Sequence, residues 1–109
     1  MEIERRAAPR LPAHVYFNKY IDGQPYLCET LELSESGMLI RRVGEPEAAR
    51  ACYAVELAAG PLDPGDERIW LCASTVWQSG EVEALRFVAQ SDRDRALLVN
   101  LIDRVAAAA

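Results

Sequence analysis

Between residues 14 and 90, groups of glycine, proline, serine and aspartate divide the chain into short β-favouring segments. Aromatic and β-branched residues favour strands, whereas those four residue types favour turns. The clearest boundary is Asp22-Gly23, because an Asp-Gly pair between two such segments is typical of a tight hairpin. The pattern predicts six strands, near residues 14–21, 26–33, 38–40, 53–57, 69–77 and 82–88.

A helix is predicted after the last strand. Ser91 is a favourable N-cap, and acidic residues follow it in the first turn. An apolar stripe with helical spacing comes next, formed by Leu97, Leu98, Leu101, Ile102 and Val105. Six strands and one amphipathic helix favour an all-β fold: a small six-stranded antiparallel barrel with a C-terminal helix over an end or seam. Closure removes the exposed edges that would otherwise invite aggregation.

Length and charge narrow the possible functions. A chain of 109 residues suits one domain, which we divide into an arm (1–13), a barrel (14–90) and a helix (91–109). The formal net charge is −5. DNA or RNA binding is therefore disfavoured, including single-strand binding by an OB-like barrel. An acidic protein can still bind a small phosphate ligand if a few arginines converge.

Other classes of function find no support in the sequence. Its apolar runs are too short to span a membrane, and no apolar segment of a signal peptide follows the N-terminal charges. The three cysteines are scattered and form no metal-binding motif. No nucleophile–base pair, paired carboxylates or phosphate-binding glycine loop is evident. We expect a cytoplasmic protein with reduced thiols, no metal, no cofactor, no membrane insertion and no enzymatic activity.

The arm carries three arginines, Arg5, Arg6 and Arg10, among prolines that favour an extended and flexible conformation. Arg6 and Arg10 are spaced four apart. A guanidinium group is planar and permanently charged, and it can bind phosphate oxygens or the edge of a guanine through paired hydrogen bonds. The pair therefore suits an anionic ligand, with a solvated basic tail as the alternative and Arg5 as a less specific contributor of charge.

A second group of candidates surrounds the segment Ser34-Glu35-Ser36-Gly37, which has the composition of a turn. The Ser34 hydroxyl could donate to a phosphate, and Gly37 can adopt a positive φ and allow close approach of a ligand. Strand alternation places Cys28, Thr30 and Glu32 on one face of their strand, and it directs Glu32 away from Leu31 and Leu33, toward solvent or a ligand. The alternatives are an ordinary β-turn and a solvent-facing Glu32 paired with Arg6 or Arg10.

Together these motifs resemble the PilZ domain, whose signature is Arg-x-x-x-Arg followed by Asp/Asn-x-Ser-x-x-Gly. Arg6, Arg10, Ser34 and Gly37 fit that signature, and Glu32 stands where the family has Asp or Asn. The segments Val76-Trp77 and Leu85-Arg86-Phe87 are similar to the closing hairpin of these domains. The resemblance implies a six-stranded barrel with a C-terminal helix and cyclic di-GMP as the ligand. It assigns guanine and phosphate contacts to the arginines, and hydrogen bonds from the guanine edge to Glu32.

Two functions remain open at this point. In the first, the protein is a cyclic di-GMP receptor whose arm orders over the ligand and which regulates an effector protein in motility, pilus or exopolysaccharide output. In the second, it is a PilZ-scaffold interaction module whose degenerate site does not bind the dinucleotide. Either form is expected to be a monomer or weak dimer. Alanine at Arg10 separates the two, since only the receptor would lose regulation.

Overall fold

The computed structural model describes residues 11–43, 51–58 and 68–108. That part of the chain contains seven strands and one helix. In chain order they are β1 (Leu11–Pro12), β2 (Tyr16–Ile21), β3 (Gln24–Leu33), β4 (Gly37–Arg42), β5 (Tyr53–Ala58), β6 (Arg68–Ser79), β7 (Val82–Ala89) and α1 (Asp92–Ala108).

Strands β2 to β7 form a closed antiparallel barrel. The order around the barrel is β3-β2-β5-β6-β7-β4, and β4 pairs back with β3. This confirms the predicted six-stranded barrel with a C-terminal helix. The additional strand β1 pairs with the end of β3, beyond the part of β3 that pairs with β2. The sequence did not predict β1, because a two-residue segment containing proline has no strand pattern of its own.

The β2–β3 hairpin turns at Asp22-Gly23, as the sequence predicted. Ile21 pairs with Gln24, so the two residues between them form the whole loop. Asp22 has φ of 51° and Gly23 has φ of 82°. Positive φ at both loop positions is required by the tight turns that match strand twist, and Asp-Gly adopts them at little cost.

A bulge in β3 changes which side chains enter the barrel. Thr30 and Glu32 pair with consecutive residues of β4, so Leu31 is an extra residue. Cys28 and Thr30 are buried before the bulge, and Leu33 is buried after it. The prediction that Cys28, Thr30 and Glu32 share one face was therefore wrong. One extra residue reverses the alternation, which leaves Glu32 half-buried on the outer face and turns Leu33 inward.

The core fills the barrel and continues under α1. Leu98 and Leu101 are buried, while Leu97, Ile102 and Val105 pack at the margin, as the predicted stripe required. The helix contacts β6 and β1. The other buried apolar residues of this core are Ala13, Phe17, Cys28, Leu33, Met38, Ile40, Val55, Leu57, Ile69, Leu71, Ala73 and Leu85.

The start of α1 is fastened to the barrel by its N-terminal cap. The Ser91 hydroxyl accepts from the Asp94 N–H at 3.0 Å and donates to the Asp94 carboxylate at 2.7 Å. That carboxylate also accepts from the backbone N–H of Trp70 in β6 at 3.0 Å. Burial acts to raise the pKa of Asp94, but these two hydrogen bonds and the charge of Arg93 outweigh it and hold the pKa below its usual value.

Candidate functional site

The chain enters the barrel alongside the end of β3. Leu11 pairs with Leu33 and Pro12 with Glu32. The Ala13 N–H donates to the Leu31 carbonyl at 3.0 Å, and the Ala13 side chain is buried. Residues 11–13, which the sequence assigned to the arm, are thus packed against the barrel beside the β3–β4 turn. Arg5, Arg6 and Arg10 lie outside the described residues.

The Thr30 side chain stabilises the short segment between β1 and β2. Its hydroxyl accepts from the Val15 N–H at 2.9 Å and lies 3.1 Å from the carbonyl oxygens of Ala13 and Val15. Its own N–H donates to the Val15 carbonyl at 2.8 Å. A buried hydroxyl therefore satisfies backbone groups where the chain leaves one strand for the next. This arrangement fixes the direction in which β1 runs past the end of β3.

The Ser34 hydroxyl forms hydrogen bonds within the β3–β4 turn. It accepts from the N–H groups of Ser36 and Gly37, each at 3.2 Å, and lies 3.2 Å from the Gly37 carbonyl, to which it can donate. The Ser34 N–H donates to the same carbonyl at 2.9 Å. Ser34 is only 1% exposed. These contacts correspond to the ordinary turn role, and the phosphate contact expected for Ser34 stays a prediction.

Gly37 is required by packing between strands. A Cβ atom at this position would lie 2.2 Å from the Leu85 carbonyl oxygen and 3.2 Å from the Arg86 Cα. The positive φ suggested by the sequence was wrong, since positive φ occurs in the described residues only at Asp22, Gly23 and Gly80. Glycine is needed here because the backbones of β4 and β7 approach too closely for any side chain.

Glu32 occupies the outer face between two neighbouring strands. Pro12 of β1 lies on one side of it and Leu39 of β4 on the other. It is separated by one residue from the Ser34 turn, and Gly37 begins the strand that leaves that turn. The structure therefore brings Glu32, Ser34 and Gly37 to one end of the barrel. Contact of any of the three with a ligand stays a prediction.

A charged cluster that the sequence did not single out lies farther along the same strands. Arg41 donates to Glu29 through Nε at 3.2 Å and Nη2 at 2.5 Å, and His14 Nδ1 is 3.5 Å from the other Glu29 oxygen. The hydrogen bond from Arg41 is the main cause of the lowered pKa of Glu29, and the same contact raises the pKa of Arg41. Only the β3 bulge sets Glu29 opposite Arg41, so counting back from the turn does not find the pair.

The turn also faces the beginning of α1. Glu35 and Arg95 approach to 3.8 Å, with the Arg95 side chain exposed and the Glu35 side chain half-buried. Such a pair contributes little to stability, because solvent screens it. It nevertheless shows that β1, the β3–β4 turn and the first turns of α1 share one end of the barrel. A ligand bound at the turn would therefore lie within reach of helix side chains.

Within residues 11–43, 51–58 and 68–108, histidine, cysteine, aspartate and glutamate form no group of three or more that could hold a metal ion. In the same ranges, no helix has the length and apolar character needed to cross a bilayer.

Comparison of the fold with solved structures gives several similar proteins. One is the PilZ domain of CeSA from a cellulose synthesizing bacterium, with a TM-score of 0.70 and 15% identity over 90% of this chain and 98% of that one. Another is the Bacillus subtilis inhibitor of motility MotI/DgrA, with a TM-score of 0.70 and 17% identity over 96% of this chain and 53% of that one. An uncharacterized Legionella protein has a TM-score of 0.56 and 15% identity over 91% of this chain and 95% of that one.

At these identities, structural similarity shows the fold alone. None of the curated proteins compared has a significant sequence match to this chain. A family model described as the PilZ domain matches residues 4–104, a range that includes the predicted arginines, the β3–β4 turn, the barrel and most of α1. Because this match spans nearly the whole sequence and agrees with the observed barrel and helix, the chain belongs to the PilZ domain family.

Proposed function

We propose that the protein binds cyclic di-GMP at the end of the barrel formed by β1 and the β3–β4 turn. PilZ domains are a receptor family for this dinucleotide. The observation that carries the proposal is the pairing of β1 with the end of β3, in which Leu11 lies beside Leu33. Leu11 follows Arg10 in the chain and Leu33 precedes Ser34. The residues that adjoin the two halves of the signature are thus paired, although they are distant in sequence.

Each candidate residue has a proposed role in binding that follows from its chemistry. Arg6 and Arg10 would bind the phosphates and a guanine edge through charge-assisted hydrogen bonds, with Arg5 adding positive charge. Glu32 would accept hydrogen bonds from a guanine, which carries N–H donors on the edge opposite its acceptors. Ser34 would reach a phosphate only if its hydroxyl gave up its contact with Gly37. Gly37 would keep the turn close to β7.

In this proposal the protein is an adaptor. Binding brings the arginine-bearing residues over the ligand and so changes the surface offered to an effector protein. Regulation of motility, pilus or exopolysaccharide machinery is the proposed output. Two similar folds support this choice of process, since one belongs to an inhibitor of motility and another to a domain from a cellulose synthesizing bacterium.

Two observations favour a second candidate, a docking module that does not bind the dinucleotide. The Ser34 hydroxyl is buried and bonded within its own turn. Glu32 also differs from the Asp or Asn of the family signature. In that case the barrel or helix would bind its partner whether or not cyclic di-GMP is present.

Isothermal titration of the full chain with cyclic di-GMP distinguishes the two candidates, with GMP and cyclic di-AMP as specificity controls. Receptor function predicts selective, saturable binding at micromolar or tighter affinity that Arg10→Ala abolishes. Arg42→Ala is the matched control, since it removes the same charge at the other end of β4, where Arg42 bonds to the Gly80 carbonyl. Absence of binding by a folded wild-type protein would leave the docking module as the function.

A further inference from the structure

Two cysteines lie on the outer surface of β5 and β6. Ala54 pairs with Cys72, and Cys52 lies two residues before Ala54, on the same side of the chain. Outward positions alternate with buried ones here: Val55 and Leu71 are buried, while Cys52 is exposed and Cys72 half-buried. The two thiols are therefore diagonal neighbours on one face. Diagonal side chains on antiparallel strands are close enough to interact.

The Cys52 thiol influences the ionisation of Cys72. Hydrogen bonding with Cys52 is the main cause of the raised pKa of Cys72, and burial and the charge of a Cys52 thiolate add to it. Both side chains line one surface depression of about 520 Å³, whose wall is mostly apolar and includes Trp70 and Ala89. The depression gives a small disulfide compound room to approach the sulfur atoms.

From this geometry we propose that Cys52 and Cys72 form a redox-responsive dithiol that closes to an intramolecular disulfide on reaction with a low-molecular-weight disulfide. The Cys52 thiolate attacks one sulfur of the reagent, forming a mixed disulfide and releasing one thiol. The Cys72 thiolate then attacks the Cys52 sulfur, forming the Cys52–Cys72 bond and releasing the second thiol. The reagent is reduced by two electrons and the protein loses two hydrogen atoms.

The order of attack follows from exposure. Cys52 is the accessible thiol, whereas Cys72 is partly buried and its thiolate is disfavoured. Once Cys52 is capped, it no longer carries the thiolate whose charge disfavours ionisation of Cys72. The second step therefore becomes easier after the first has occurred. This sequence suits Cys52 as the attacking residue and Cys72 as the resolving one.

Formation of the Cys52–Cys72 disulfide needs a small backbone movement, and the position of Cys52 allows it. Diagonal residues on paired strands have Cα atoms roughly 7–8 Å apart, slightly beyond the usual disulfide range of about 4.4–6.8 Å. Cys52 precedes Tyr53, the first residue of β5 that pairs with β6. Its backbone can shift without breaking that ladder. An exposed bond formed this way is expected to be readily reducible, as regulatory disulfides are.

The test is titration of the reduced full chain with oxidised glutathione under native conditions, followed by intact mass and peptide mapping without reduction. The expected product has lost two hydrogen atoms and contains a Cys52–Cys72 linkage that dithiothreitol reverses. Cys28→Ala should give the same product, because Cys28 is 0% exposed and does not take part. Cys52→Ser should remove the product, and Cys72→Ser should stop the reaction at a mixed disulfide on Cys52.

A thermal melt gives a second readout. The oxidised protein should melt at a higher temperature than the reduced one, because the cross-link restricts the unfolded chain. Cys52→Ser should show no such difference. A wild-type product that retains glutathione on Cys52, that links two chains instead, or that lacks any modification would each overturn the proposal. Cyclic di-GMP binding by reduced protein is measured separately, so failure of either proposal leaves the other intact.

Discussion

Lys19 and Glu83 form an ion pair inside the barrel, with Nζ 2.7 Å from Oε1 and each side chain only 1% exposed. The Lys19 ammonium also lies 4.0 Å from the centre of the Tyr53 ring. Thr75 donates its hydroxyl to the second Glu83 oxygen at 2.5 Å. Strands β2, β5, β6 and β7 thus each contribute one member to a polar cluster in a mostly apolar interior.

Removing one partner of the Lys19–Glu83 pair should destabilise the protein far more than replacing both partners with apolar residues. Lys19→Met leaves a buried carboxylate without its cation, and we expect a loss of about 3–5 kcal/mol in the free energy of unfolding. The double variant Lys19→Met/Glu83→Leu should recover most of that loss, since neither charge then has to be desolvated. Urea unfolding of the wild type, both single variants and the double variant measures the coupling. If the changes in unfolding free energy of the two single variants simply add up in the double variant, the two residues are not coupled.

Gly37→Ala should weaken the barrel at the β4–β7 contact. The added Cβ would lie 2.2 Å from a backbone oxygen, so the two strands must separate, at a cost of about 1–3 kcal/mol. Gly23→Asn is a useful control, because nothing lies within 4 Å of its Cβ position and asparagine tolerates positive φ. Chemical denaturation should show a clear loss for Gly37→Ala and little change for Gly23→Asn.

Asp94 should make the helix cap sensitive to acid. Its pKa is lowered in the folded protein, so its contribution is present above the unfolded carboxyl pKa of about 3.9 and is lost as pH falls through the lower folded value. Asp94→Asn should cost about 1–2 kcal/mol at neutral pH. Thermal melts should show this difference shrinking as pH falls below the unfolded carboxyl pKa, because the wild-type carboxylate then becomes protonated. Asp92→Asn, an exposed change in the same turn, should show a much smaller effect at all pH values.

Glu32→Asp should strengthen binding of cyclic di-GMP. Shortening the side chain restores the carboxylate of the family signature and removes one rotor that binding must immobilise. A good bidentate contact with a base is worth about 1–3 kcal/mol, which corresponds to a gain of about 10-fold to 100-fold in affinity. Titration calorimetry of Glu32→Asp beside the wild type measures this gain. Glu32→Ala, which lacks the acceptors, should bind more weakly than either, and equal affinity for all three would exclude Glu32 from the site.

Local signals in the sequence determined the fold class. The Asp22-Gly23 hairpin, the Ser91 cap and the apolar stripe of α1 each depend on residues close together in the chain, so local conformational preferences suffice to predict them. The alternation of turns and strands favoured closure of the barrel because open edges are unfavourable. The family signature predicted which residues form the candidate site, although it did not predict their contacts.

Only the tertiary structure decided how those residues meet. The bulge at Leu31 reversed the faces of β3, β1 joined the end of that strand, and the approach of β7 explained Gly37. The pairing of Lys19 in β2 with Glu83 in β7 likewise required strands distant in sequence to close into a ring. Such contacts depend on strand register, which is a property of the whole barrel. No short segment carries enough information to fix it.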